Sequence, residues 1–281
     1  MFTITFIRHG ESEDNLKNIW AGWKDAPLSD LGVKQAKALG ASFSSTPVSI
    51  IYSSPLKRAY STALAVQQHQ PLPHPLLISN PDLREQHFGI AEGRKWTEDS
   101  PAIDAAAASP DPESAVEKVI NELAAQGIFP VIPTTKNKFP DGESLDDLAR
   151  RAERGLKECV LNHLSEYFQP SDGISSTDDY HVAVASHGLC ISELVAALVK
   201  LDPLADQTKS YRGLLNTAWT RAVIGIRDGF RGTFSVSSPP PLEVKIIHFN
   251  DIEHLKGLDT TGPIQLEGAR QYFAGNTSIS N

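Results

Sequence analysis

The chain has 281 residues, 40% hydrophobic and 21% charged, with a formal net charge of −8. That composition suits a globular protein long enough to bury a sizeable core. The acidic balance gives no global electrostatic case for nucleic acid or an anionic membrane as partner, so an anionic ligand would have to be held by a local basic pocket.

Phe2 to Ile7 is an apolar run interrupted only by Thr3 and Thr5, which predicts a buried strand. It runs into Arg8-His9-Gly10, where the chain must turn. Ligands of open α/β sheets bind at the carboxyl ends of strands, and an arginine beside a histidine there suits an anion. Residues 11–16 are polar, fit for a helix start or a tight loop. Residues 19–27, with Trp20, Gly22 and Trp23, read as an irregular loop. Ser29 or Asp30 is a suitable N-cap for a helix reaching about Phe43, with Leu31, Ala38, Leu39 and Phe43 buried.

Val48 to Tyr52 is the second predicted strand. It ends in Ser53-Ser54-Pro55, and Pro55 suits the first turn of a helix over 56–68 that carries Arg58. Residues 71–81 are proline-rich and irregular, with a short apolar run at Leu76 to Ile78. Leu83-Arg84-Glu85 then leads to Gly89 and Gly93, which mark turns. Residues 94–142 differ in character and are expected to be an excursion or lid inserted into the core fold, with a short amphipathic helix over 116–125.

Ser144 caps a predicted long helix over 145–168, whose apolar stripe is Leu145, Leu148, Ala152, Leu156, Val160 and Leu164. A polar linker over 169–180 precedes a short buried strand, Val182 to Ala185. That strand ends at Ser186-His187-Gly188, and a helix follows over 189–200. Residues 216–226 turn strand-like, Arg227-Asp228-Gly229-Phe230 signals a hairpin turn, and Leu242 to Phe249 is a further strand. Residues 250–258 fit one short helix. Residues 1–262 thus form the domain, and 263–281 a flexible tail.

The two cysteines, Cys159 and Cys190, have no C-x-x-C spacing, which argues for a reducing compartment and against structural zinc. No leader-like segment opens the chain, and no apolar run reaches membrane-spanning length. The expected location is the cytosol or the nucleus, with no membrane and no nucleic acid as partner; the sequence leaves the oligomeric state open.

Three strand ends deliver Arg8 and His9, Arg58, and His187, and a mid-chain loop offers Glu85. Two arginines and two histidines make a site for a phosphate-sized dianion. A neutral imidazole can attack phosphorus. A carboxylic acid can protonate the leaving oxygen and later activate water. The inventory supports phosphoryl transfer through a phosphohistidine, with no cofactor and no metal.

Arg8-His9-Gly10-Glu11-Ser12 with Asn15, the Ser53-Ser54-Pro55-Leu56-Lys57-Arg58-Ala59 turn, Leu83-Arg84-Glu85, Gly142-Glu143-Ser144 and Ser186-His187-Gly188 together resemble the histidine phosphatase superfamily, in its phosphoglycerate mutase-like branch. The resemblance implies a three-layer αβα fold with a mostly parallel central sheet. It implies His9 as the nucleophile, Glu85 as the proton donor, and Arg8, Arg58 and His187 as the phosphate pocket, assisted by Asn15, Gly22 and Gly188. The substrate would be a small phosphorylated metabolite.

Mutases of the branch carry a tyrosine where this chain has Phe88, and an arginine pair in the excursion that is absent from 94–142. The closer likeness is to the fructose-2,6-bisphosphatase-like group, in Leu83 to Gly93, Asn216-Thr217 and residues 250–258. Phosphomonoester hydrolysis, of sugar bisphosphates or phosphoglycerates among others, is therefore the leading expectation. A mutase and a weakly catalytic binding module are the alternatives. A second phosphate would need further cations, for which Arg94, Lys95, Lys136, Lys138 and Arg212 are candidates by charge and location.

Overall fold

A computed structural model describes residues 1–17, 19–97, 100–169, 179–227 and 232–258. Its central element is strand β1 (Phe2–Arg8). Successive side chains of a strand point to opposite faces, and here both faces are buried. Phe2, Ile4 and Phe6 join one core cluster, whereas Ile7 joins the other. The neighbouring strands β2 (Ile50–Ser53) and β6 (Tyr180–Ser186) alternate in the same way. Ile50, Val182 and Val184 lie on the first face, and Ile51, Ala183 and Ala185 on the second. A near-continuous apolar run is what a parallel strand covered on both faces requires.

The sheet has six strands in the order β3-β2-β6-β1-β7-β8. The first four, including β3 (Leu76–Ser79), run parallel. Strands β7 (Trp219–Ile226) and β8 (Leu242–Asp251) are antiparallel additions beyond β1. Helices α1 (Asp30–Phe43) and α2 (Lys57–Gln68) cover one face. Their Leu39, Phe43, Ala63 and Val66 share a cluster with Ile7 and Ile51. Helices α5 (Leu145–Leu156) and α7 (Gly188–Val199) cover the other. The result is the expected three-layer αβα arrangement with a mostly parallel sheet.

The excursion holds α3 (Pro101–Ala107), α4 (Pro112–Ala125) and a two-stranded ribbon of β4 (Trp96–Thr97) with β5 (Phe129–Pro130). Its Ile103, Val116, Ile120, Phe129 and Phe139 join the same cluster as Phe6 and Leu148. Ser144 caps α5 through a reciprocal capping box with Asp147. The predicted stripe from Leu145 to Leu164 is buried at every position. The helix continues through one π turn (Lys157–Leu161) into α6 (Asn162–Phe168).

Several expectations need correction. Leu31 and Ala38 are only half-buried, because α1 is rolled so that Gly32, Gln35 and Ala36 face inward beside Leu39. The apolar run at Leu76 to Ile78 is an edge strand. Residues 250–258 are not one helix. Asn250, at φ +55°, takes Leu215 N–H on its side-chain oxygen at 2.9 Å and stays in β8, which leaves only a single 3-10 turn at Glu253–Leu255. Strands β7 and β8 pair as expected, but the turn residues 228–231 lie outside the described residues, as do 170–178 of the linker and the tail 263–281. No helix among the described residues is long and apolar enough to cross a membrane.

Candidate active site

The parallel register places the carboxyl ends of β1 and β6 side by side, with Arg8 opposite Ser186. His9 and His187 are the next residues. Their rings meet with centroids 5.0 Å apart at an interplanar angle of 58°. His9 is 3% exposed and His187 is fully buried.

The turn after β1 is tight. A Cβ on Gly10 would stand 2.7 Å from the Gly32 carbonyl oxygen, and one on Gly32 would stand 1.9 Å from that of Glu11. Glycine at both positions lets α1 begin directly against the turn. His9 Nδ1 lies 2.7 Å from the Gly10 carbonyl oxygen. That oxygen only accepts, so Nδ1 carries the proton and Nε2 of the neutral ring keeps its lone pair. Burial, then Arg58 and Arg8, push the His9 pKa well below the ordinary value.

His187 Nε2 pairs with Ser54 Oγ at 2.9 Å. Ser54 Oγ also accepts from Leu56 N–H at 3.3 Å, so its own hydrogen is available to His187 Nε2. That leaves the ring proton on Nδ1, which is buried and unpartnered. Burial first, then Arg58, His9 and Arg8, hold His187 neutral as well.

Arg8 donates through Nη1 to the Leu214 carbonyl, while its Nε is buried with no partner. Burial lowers its pKa to about 10, against the pull of Glu85. Arg58, 2% exposed, donates from Nη1 to Lys24 O and from Nη2 to Gly22 O, both at 2.8 Å. It therefore holds the 22–24 loop over the site. Gly22 sits at φ +47°, where a Cβ would meet Glu92 Oε1 at 2.2 Å. Gly22 is thus part of the frame, and its contact with the site is through its carbonyl on Arg58.

Glu85 lies across the pocket. Its Oε1 accepts from Gln86 N–H at 3.0 Å and Cys190 N–H at 3.1 Å, and its Oε2 from Leu189 N–H at 3.2 Å. The carboxyl thus sits on the first turn of α7, where unpaired amides and the helix dipole favour an anionic group. A Cβ on Gly188 would lie 3.7 Å from Arg8 Nε and 4.0 Å from Glu85 Oε2, so Gly188 keeps this corner narrow. Asn15 Oδ1 accepts from the Ser12 amide and hydroxyl, both at 3.0 Å. That bond shapes the loop and leaves the Asn15 Nδ2 group without a protein partner among the described residues.

The structure therefore gathers Arg8, His9, Arg58, Glu85 and His187 in one pocket. Of the proposed second cations, Lys136 pairs with Glu113, Lys138 with Asp147 and Arg212 with Glu193, while Arg94 and Lys95 are exposed. Sequence reasoning missed Ser54 as the partner of His187, and it missed Arg151. Arg151 is 5% exposed and donates to the carbonyls of Asp82, Arg84 and Glu85 at 2.9, 2.7 and 2.9 Å. It also grips both Glu143 oxygens, at 2.8 and 2.7 Å. The available signal was an arginine on the apolar side of α5, between Leu148 and Ala152.

Residues 4–125 match the model of the histidine phosphatase superfamily (branch 1). A 2,3-bisphosphoglycerate-dependent phosphoglycerate mutase of Methanococcus vannielii is 28% identical over 207 residues, covering 72% of this chain and 83% of that protein. The fructose-2,6-bisphosphatase TIGAR of Xenopus laevis is 39% identical over 99 residues, 34% of this chain and 36% of that one. The crystal structure of phosphoglycerate mutase from Bacillus anthracis str. Sterne shares the fold, with a TM-score of 0.60 at 22% identity over 91% of this chain and 95% of that chain. With two buried histidines and the arginines Arg8 and Arg58 gathered at the carboxyl ends of parallel strands, these likenesses make the chain similar to the histidine phosphatase superfamily, the family match spanning residues 4–125.

Proposed function

We propose that the protein hydrolyses phosphomonoesters of small metabolites through a covalent phosphohistidine on His9, without a metal ion. The observation that carries this reading is the pair of buried, unpartnered donors beside the His9 ring, Arg8 Nε and His187 Nδ1. Burying a polar group without a partner is costly. A phosphoryl group seated against His9 would satisfy both, with the charge of Arg58 close by.

In the first step His9 Nε2 attacks phosphorus. The N–P bond forms as the ester O–P bond breaks, and its electron pair leaves with the ester oxygen. Glu85 passes that oxygen a proton, which the monoanionic phosphate of the substrate brings into the site and the carboxylate takes up first. The His9 Nδ1–H bond to Gly10 O is retained and supports the positive charge the ring acquires. In the second step Glu85 takes a proton from water. The new O–P bond forms, and the N–P electron pair returns to Nε2. Arg8, Arg58 and His187, fixed in place, supply the charge stabilisation that a metal would otherwise give. The supported location is the cytosol, since both cysteines are free and buried.

Wild type should release phosphate from a chromogenic phosphomonoester, and His9→Ala should not. Equal turnover in both would sink the reading. A mutase is favoured by one observation, the match to the archaeal mutase over most of both chains. Interconversion of 2- and 3-phosphoglycerate without net phosphate release would select it. A phosphate-release screen over sugar bisphosphates, phosphoglycerates and nucleotides would then narrow the substrate.

A further inference from the structure

The carbonyl of the nucleophile itself is clamped from outside the pocket. His9 O accepts from Thr217 N–H at 3.1 Å and from Asn216 Nδ2 at 3.2 Å. Thr217 is fully buried at φ +55°, the left-handed region that a β-branched residue rarely adopts. Something must hold it there. Its hydroxyl donates to Asn216 O at 2.7 Å, which uses its only hydrogen. The remaining contact is His254 Nε2, 2.9 Å from Thr217 Oγ1. His254 must therefore be the donor, with its proton on Nε2. Its Nδ1 is buried and without a partner, so no second bond competes for the ring orientation.

His254 belongs to the 3-10 turn that follows β8. It lines a small cleft with Phe43, Trp219 and Arg221, on the α1 side of the sheet and away from the substrate pocket. It touches neither Arg8, Arg58, Glu85 nor His187. Yet its bond ends on Thr217, one link from the His9 carbonyl.

We infer that His254 is a positioning residue for the nucleophile: its Nε2–H locks Thr217 in the left-handed conformation, and Thr217 with Asn216 fixes the His9 carbonyl and hence the ring. The chain is His254 to Thr217 to His9, and it acts on the turnover step without contact to substrate. A ring displaced by a fraction of an ångström still binds phosphate through the arginines but attacks it poorly.

The inference rests on the phosphatase reading for its kinetic arm, and an independent arm separates the two. With a chromogenic phosphomonoester, His254→Leu should lower kcat about tenfold with KM within about twofold. His254→Gln, which keeps an N–H at that reach, should recover most of the loss. Thr217→Val removes the acceptor while leaving His254 in place, and should show the same kcat loss. Adding His254→Leu to Thr217→Val should then change little further, since contacting residues in one chain are not additive. Hydrogen exchange of the Thr217 amide should quicken in both single variants. If no variant, wild type included, turns over any ester, but the Thr217 amide still loses protection, the phosphatase reading fails and the clamp stands. Wild-type kcat in Thr217→Val or in His254→Leu would overturn the clamp. So would additive losses in the double variant, or unchanged Thr217 exchange.

Discussion

The rings of His9 and His187 stand 5.0 Å apart, both buried and both under the charges of Arg58 and Arg8, so both must be neutral for the pocket to exist. A second pair of positive charges beside Arg8 and Arg58 would repel strongly in so dry a site. Burial is the largest cause that keeps both rings neutral, and the arginines add to it. Neutrality is also what each ring needs for its role. His9 keeps a lone pair on Nε2, and His187 keeps a proton on Nδ1. Nitrogen-15 NMR should find both rings unprotonated from about pH 8 down to about pH 5.5, where a free histidine would be largely charged. Titration of either near the ordinary value would contradict the account.

Arg58 has two tasks, charge in the pocket and closure of the 22–24 loop through two carbonyls. A lysine supplies the charge but not the planar fork. Arg58→Lys should therefore lower kcat/KM by about 10²–10³-fold, raising KM as well as lowering kcat. A loss in KM alone, with kcat kept, would show that loop closure contributes nothing to turnover.

Arg151 holds the backbone on which Glu85 rides, and removing it strands Glu143 as a half-buried carboxylate. Glu143 is itself held below the ordinary value, with Arg151 opposing the effect of burial. Arg151→Met should cost about 3–5 kcal/mol by urea unfolding. Adding Glu143→Gln should restore part of that loss. Equal stability in Arg151→Met and wild type would refute the role given to this ion pair.

The sheet and its site were legible where the local sequence carries the whole physical cause. β1 announces itself by an apolar run that must be covered on both faces, and the α5 stripe by its period. Arg8, His9 and His187 were placed because each sits at the carboxyl end of a strand, and Arg58 because its helix opens just past another. Glu85 needed the resemblance, since a glutamate in a loop has no periodicity to give it away. Ser54 and Arg151 escaped because their importance comes from partners 133 and 66 residues distant. The 250–258 segment misled for the same reason. Its conformation is fixed by Asn250 on Leu215 and His254 on Thr217, contacts that no local pattern encodes.

Four histidines make stability fall in acid. His181 and His254 are held at about 4, mainly by burial, and His9 and His187 well below the ordinary value. Each stays neutral in the fold but protonates near 6.5 once unfolded. The unfolded chain then binds more protons, so stability is full above about pH 6.5 and is lost as pH falls toward 4. Asp147, where burial is outweighed by hydrogen bonds from Ser144 and Arg150 that hold it at about 2, adds a further loss below about pH 4. Urea midpoints measured at about pH 7.5 and pH 5 should show the drop, and His181→Gln should reduce it. A midpoint that stays level or rises would count against the buried neutral histidines.

The covalent intermediate on His9 is the claim on which the rest depends. Rapid quenching of the enzyme with excess phosphomonoester, followed by intact-mass measurement under neutral or basic conditions, tests it directly. The account requires one added phosphoryl group, lost on brief acid treatment, mapped to His9 and absent from His9→Ala. A wild-type enzyme that turns over the ester with no trapped phosphoryl group, alongside a His9→Ala variant of equal rate, would contradict it.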